Sequence, residues 1–297
     1  MPKAIHSGIE LEYDQFGPES GEPLLLIMGL GAQMLLWEEG FCEKLADRGH
    51  RVIRFDNRDI GLSTWLDDLG VPDVPALMAA GAQGKPLDVP YTLDDMADDA
   101  LAVVDALGID AAHICGASMG GMIAQALAIR HPGRVRSLTS IMSTTGNPAL
   151  PPAKPEAMAV LMEPVPEDRD FVIERSIHTD RVIGSPAYPG DPAFLRERAA
   201  RLFDRAFHPA GSARQMAAIL AHGNRSPALR QIDVPALVIH GKADSLVPVE
   251  GGIDTHQAIA GSELMLIEGM GHNLPPELWD EIVDGISGLT GRAAGSH

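Results

Sequence analysis

The chain has 297 residues, 45% hydrophobic and 22% charged, which suits one large globular core with an insertion and excludes a disordered chain. Its 41 acidic residues against 23 Lys and Arg leave a formal charge of −18, which repels phosphate backbones and argues against a nucleic-acid partner. Two cysteines, Cys42 and Cys115, supply neither a disulfide framework nor a zinc pattern, so no metal is expected.

The stretch Met1–Ser7 has no apolar signal-peptide core, and no run approaches the roughly 18 apolar residues of a membrane helix; a cytoplasmic protein with no membrane partner is expected. Residues 4–14 read as a hairpin turning near Ser7-Gly8. The run Pro23–Met28 reads as a strand buried on both faces, as in a parallel sheet, and ends in Gly29-Leu30-Gly31. A helix is expected over 38–48, a strand over 51–55, and irregular chain over 66–91. Thr92 caps a predicted helix over 93–107, whose stripe is Leu93, Met96, Ala97, Ala100, Val103, Val104 and Leu107. The strand 112–115, a turn at Ser118, a helix to about Arg130 and a strand over 135–142 follow.

Alternation of strand and helix from 23 to 142 marks an α/β fold with a mostly parallel sheet flanked by helices. Prolines interrupt it over 146–170, and helices are then expected at 169–183, 193–206 and 210–223. A strand at 235–240, a helix at 249–260, a strand at 263–267 and a last helix at 276–289 resume it. Residues 1–145 and 226–297 are therefore assigned to the core and 146–225 to a helical cap inserted between two sheet strands.

The chemistry is carried by Gly116-Ala117-Ser118-Met119-Gly120. By itself Gly-x-Ser-x-Gly is a weak signal, but here the serine follows an apolar strand and opens a helix, the setting that lifts a hydroxyl above a sheet edge. A serine hydroxyl needs a base. Among 11 histidines, His272 stands just beyond the last strand, on the rim that strand carboxyl ends share, whereas His6, His50, His131 and His297 stand elsewhere and His240 is expected to pack beneath the site. The base needs a carboxylate to fix its tautomer, and Asp244 follows the strand 235–240; the loop Ser143–Asn147 offers no acid. The amides of Met119 and Leu30 are the expected oxyanion donors.

With these residues in place the sequence resembles the α/β-hydrolase superfamily over essentially its whole length. Within it, Ile27–Gly31, Trp37, Asp56–Ser63 and Gly271-His272-Asn273-Leu274-Pro275 look most like the aclacinomycin methylesterase type of carboxylesterase. The resemblance implies two-step ester hydrolysis without a cofactor. Met28 stands where many relatives have histidine, as it does in the methylesterase type.

A small to medium, largely apolar ester is the expected substrate, with Gly29, Met142, Met158, Met162, Phe203, Phe207, Met216 and His222 as candidate pocket residues. Asp56, Arg58 and Asp59 read as a structural ion-pair cluster at the site entrance. Lactone hydrolysis, carbon–carbon bond hydrolysis and cofactor-free peroxidation are alternatives on the same residues, and a ligand receptor that retains them is a further one. A monomer or homodimer is expected.

Overall fold

The computed structural model describes residues 2–294; His297, set aside above as a base, lies outside them. Eight strands form one sheet in the order β1-β2-β4-β3-β5-β6-β7-β8: β1 Lys3–His6, β2 Ile9–Phe16, β3 Glu22–Ile27, β4 His50–Phe55, β5 Ala112–Ala117, β6 Val135–Ile141, β7 Ala236–Gly241 and β8 Glu263–Ile267. β2 runs antiparallel to both its neighbours, while every pairing from β4 to β8 is parallel.

Parallel strands need crossovers, and these cover both faces of the sheet. The helices of the core are α1 Glu39–Asp47, α2 Val74–Ala82, α3 Leu93–Ala106 and α4 Met119–Arg130 in the first half. After the insertion come α9 Ser226–Leu229, α10 Glu250–Ala258 and α11 Trp279–Ala294. Alternation along β3 divides the core in two. Leu25 and Ile27 pack with Leu93, Met96, Ile123 and Leu127 of α3 and α4, whereas Leu24 and Leu26 pack with Phe41, Leu45, Ile282 and Ile286 of α1 and α11. Thr92 closes a full capping box with Asp95 at the start of α3.

Between β6 and β7 the chain forms α5 Pro155–Met162, α6 Arg169–Ile183, α7 Pro192–Arg205 and α8 Pro209–His222. The ends of this excursion meet: the Arg225 amide donates to Thr145 O at 2.8 Å. Ile173, Ile177, Leu195 and Ala199 give α6 and α7 a small core of their own.

Three helices do not follow from periodicity. α2 lies in the stretch expected to be irregular; Asp73 accepts from the Ala76 amide and Pro75 fits its first turn. α5 begins at Pro155, a proline that starts a helix instead of interrupting one. α9 is a single turn. The expected ion-pair cluster also changes partners. Arg58 pairs with Asp99 at 2.5 Å, Asp56 with Arg205 at 2.7 Å, and Asp59 takes a two-pronged bond from Arg214 at 2.7 and 2.8 Å. The segment therefore ties the core to α7 and α8 instead of pairing within itself. Among the described residues no helix is long and apolar enough to cross a membrane.

Candidate active site

Ser118 stands between β5 and α4 with φ 57° and ψ −121°, a conformation that a side-chain-bearing residue holds only when its surroundings impose it. The imposition is visible. The Ser118 amide donates to Ile141 O of β6 at 2.9 Å. A Cβ on Gly116 would lie 2.0 Å from Gly120 O, and one on Gly120 would lie 2.0 Å from Ile27 O, so the turn closes only with glycine at both positions.

His272 and Asp244 follow β8 and β7 and reach the same rim. His272 Nε2 lies 2.9 Å from Ser118 Oγ, and His272 Nδ1 lies 2.7 Å from Asp244 Oδ2. The Asp244 side chain is fully buried; its Oδ1 accepts the Leu246 and Val247 amides at 2.9 and 2.8 Å. His240 sits beneath, 3.6 Å from Asp244 Oδ2 and 2.8 Å from Val247 O. Burial lowers its pKa, which keeps a second positive charge away from the carboxylate.

The loop after β3 approaches Ser118 closely: a Cβ on Gly29 would stand 3.1 Å from Ser118 Cβ. Asn57 donates to Met28 O at 3.0 Å, and the Gly31 amide is taken by Gln215 Oε1 of α8 at 2.9 Å. Among the described residues neither the Leu30 nor the Met119 amide donates to a protein acceptor. Met119 opens α4, where the helix dipole adds to the donor. A hydroxyl, a base oriented by a buried carboxylate and two open amides can together carry out acyl transfer.

The hydroxyl opens into a cavity of about 560 Å³. Gly29, Met142, Met158, Met162 and Met216 line it, and with Met28, Met78, Met119 and Met122 eight of the chain's 13 methionines do so. Thioether side chains give walls that adapt to differently shaped apolar ligands. Phe203 and Phe207 pack with tilted rings, 4.9 Å between centroids, and line an adjoining cavity of about 300 Å³, not this one. His222 lines neither; it ends α8 with Nδ1 3.8 Å from Asp94. Arg175, Ser176, Thr179 and Asp180 of α6 and Arg198 of α7 also line the cavity beside Ser118, and no pattern in the sequence points to them.

A family described as alpha/beta hydrolase fold matches residues 22–181. The chain belongs to the α/β hydrolase fold family. Its relatives place it among the hydrolytic enzymes of that family. Rhodomycin D methylesterase DauP of Streptomyces sp. (strain C5) is 29% identical, and the alignment covers 96% of each chain. This agrees with the likeness to the methylesterase type read from the sequence. A 2-hydroxymuconate semialdehyde hydrolase of Pseudomonas sp. (strain CF600) is 28% identical over 90% of this chain and 86% of the relative. Among solved structures, the enol-lactonase from Burkholderia xenovorans LB400 superposes with a TM-score of 0.73 at 24% identity, covering 97% of this chain and 99% of its own.

Proposed function

We propose that this α/β hydrolase is a carboxylic ester hydrolase acting through an acyl-enzyme, with Ser118 as nucleophile, His272 as base and Asp244 as its orienting acid. The observation that carries the proposal is the unbroken relay from Ser118 Oγ through His272 to Asp244, at 2.9 and 2.7 Å.

Ser118 Oγ attacks the ester carbonyl as His272 Nε2 takes its proton. The oxyanion is held by the Leu30 and Met119 amides, which have no competing protein acceptor to give up. Asp244 stabilises the imidazolium. The tetrahedral intermediate collapses, the alcohol leaves with the proton from His272, and an ester links the acyl group to Ser118. Water, deprotonated by His272, attacks that ester and releases the acid. The methionine walls favour a small to medium apolar ester, and likeness to the rhodomycin D methylesterases makes methyl esters the first to try. Residues 146–225 act as a cap over the cavity.

Fluorophosphonate labelling checks the nucleophile. Wild type is expected to label and Ser118→Ala not to, with hydrolysis of methyl and short p-nitrophenyl esters falling on the order of 10³-fold or more. Hydrolysis by Ser118→Ala at the wild-type rate would refute the assignment. A second reading keeps the residues and cleaves a carbon–carbon bond; likeness to the 2-hydroxymuconate semialdehyde hydrolase favours it. A panel of esters, lactones and vinylogous diketones, compared by kcat/KM, separates the two.

A further inference from the structure

The catalytic cavity is mostly apolar, yet it contains a guanidinium with no hydrogen-bond partner. Arg198 projects from α7 and retains 25% exposure. Its Nη1 lies 3.8 Å from Glu38 Oε1, its Nη2 lies 3.7 Å from Asp180 Oδ1, and the Phe194 ring lies 5.4 Å away. Both carboxylates are close enough for charge attraction and too far for a hydrogen bond. Among the described residues no guanidinium N–H of Arg198 donates to a protein acceptor. Other arginines nearby differ. Arg175, in the same cavity, donates to Val160 O at 2.6 Å and Glu163 at 3.2 Å; Arg205 donates to Gln33 Oε1 at 2.6 Å, and Arg214 donates to Asp59, Asp67 and Gly70.

At 25% exposure these donors are open to the cavity and its water, so an acceptor on a ligand can take them without breaking a protein hydrogen bond. The charges around Arg198 select which ligand. Arg198, Glu38 and Asp180 sum to −1, and Arg201, which bridges Glu38 at 3.4 Å and the exposed Glu39 at 3.5 Å, brings one positive and one negative charge and leaves that sum unchanged. A substrate carboxylate drawn to Arg198 would meet two carboxylates within 4 Å of the same group, and an ammonium would meet Arg198 itself. A neutral oxygen acceptor meets neither repulsion and carries the smallest desolvation cost.

We propose that Arg198 is a specificity-determining residue that donates to a neutral ketone or ether oxygen of the substrate, remote from the scissile bond. The physiological ester is then an apolar body with such an oxygen, not a plain hydrocarbon ester and not a half-ester of a diacid. This deepens the esterase reading and rests on it for the word ester, while the binding step stands apart from turnover.

The test uses pairs differing only in C=O against CH₂: methyl 3- and 4-benzoylbenzoate against methyl 3- and 4-benzylbenzoate, with the monomethyl ester of biphenyl-4,4′-dicarboxylate as the anionic probe. kcat/KM is measured on wild type, Arg198→Leu and Arg198→Lys, and Kd on Ser118→Ala with and without Arg198→Leu. Wild type is expected to prefer at least one benzoyl ester over its benzyl partner by about 10- to 100-fold, the range of one hydrogen bond to a charged donor. The ratio should fall to near one in Arg198→Leu and recover in part in Arg198→Lys. The proposal is overturned by equal loss on both members of a pair, by no preference in wild type, or by preference for the anionic probe. If no ester is turned over but the Kd ratio behaves as stated, the esterase reading fails and the assignment of Arg198 stands. Turnover without any such ratio overturns the assignment of Arg198 and leaves the esterase reading standing.

Discussion

Asp244 divides its two carboxylate oxygens between separate tasks. Oδ2 accepts from His272 Nδ1, and Oδ1 accepts two backbone amides of its own loop. Asparagine at this position has one oxygen, and the Leu246 and Val247 amides fix where it must point. The NH₂ then faces His272 Nδ1 and forces that nitrogen to accept, which moves the ring proton to Nε2 and removes the base facing Ser118. Asp244→Asn is therefore expected to lower kcat by about 10⁴-fold with KM little changed. Its thermal midpoint should stay close to wild type, because all three hydrogen bonds survive in altered polarity. A drop in activity matched by a large loss of stability would point to a collapsed loop instead. These residues were legible because each is a chemically distinctive side chain just beyond a readable strand. Gln215 was not. It fixes the loop after β3 through Gly31 from α8, 184 residues away, and no local pattern links the two.

At the scale of elements, the lining of the cavity explains what periodicity missed. α6 lines it with Arg175, Ser176, Thr179, Asp180 and Ile183, and α7 with Phe194, Leu195, Arg198, Ala199 and Leu202. Both follow the helical i, i+1, i+4, i+5, i+8 stripe, but the stripe of α6 is polar, and a rule that buries apolar faces turns it to solvent. The same rule chose Phe203, which falls on the neighbouring face of α7, and Phe207, which lies in the link between α7 and α8. α6 also holds the loop that carries His272. The His272 amide donates to Ile183 O at 2.7 Å, the Gly271 amide to Ser185 Oγ at 2.9 Å, Ser185 Oγ to Asn273 Oδ1 at 2.5 Å, and Asn273 Nδ2 to Asp180 Oδ1 at 3.2 Å. The end of α6 is thus bonded to the loop that presents His272, and it cannot swing open without carrying the base away. Ser185→Ala, which removes two of these bonds, is expected to lower kcat about tenfold at unchanged KM and to cost about 1 kcal/mol of stability. Ser185→Thr should restore both in part. A rise in KM alone would make Ser185 part of the substrate pocket instead.

For the whole molecule, apolar runs identified the strands and the parallel sheet but not the order β1-β2-β4-β3-β5-β6-β7-β8. Alternation tells which face of a strand is buried and is silent on which strand lies beside it. The acid dependence of the fold is likewise set by position in the sheet. His113 of β5 is 1% exposed, hydrogen-bonded to Ser137 at 2.8 Å, and its pKa is lowered to about 4 by burial, with His50 and Arg136 adding to the shift. Burial also lowers His50, His222 and His240. Between pH 6.5 and about 4 the unfolded chain binds a proton at His113 that the folded chain refuses, so stability falls as pH falls through this window. His113 alone accounts for up to about 3 kcal/mol of that loss. Charge repulsion acts in the opposite direction, because acid relieves a surface with 41 acidic and 23 basic residues. The two differ in range. Surface repulsion is screened beyond about 8 Å at 0.15 M salt, whereas a buried imidazole is not. At that ionic strength the urea midpoint is expected to drop from about pH 7 to about pH 5, and low salt should flatten the drop by restoring the opposing contribution. His113→Gln keeps a partner for Ser137 without a titrating ring, so it should be less stable at neutral pH yet lose less on acidification. An unchanged slope in that variant would move the acid sensitivity to the other buried histidines.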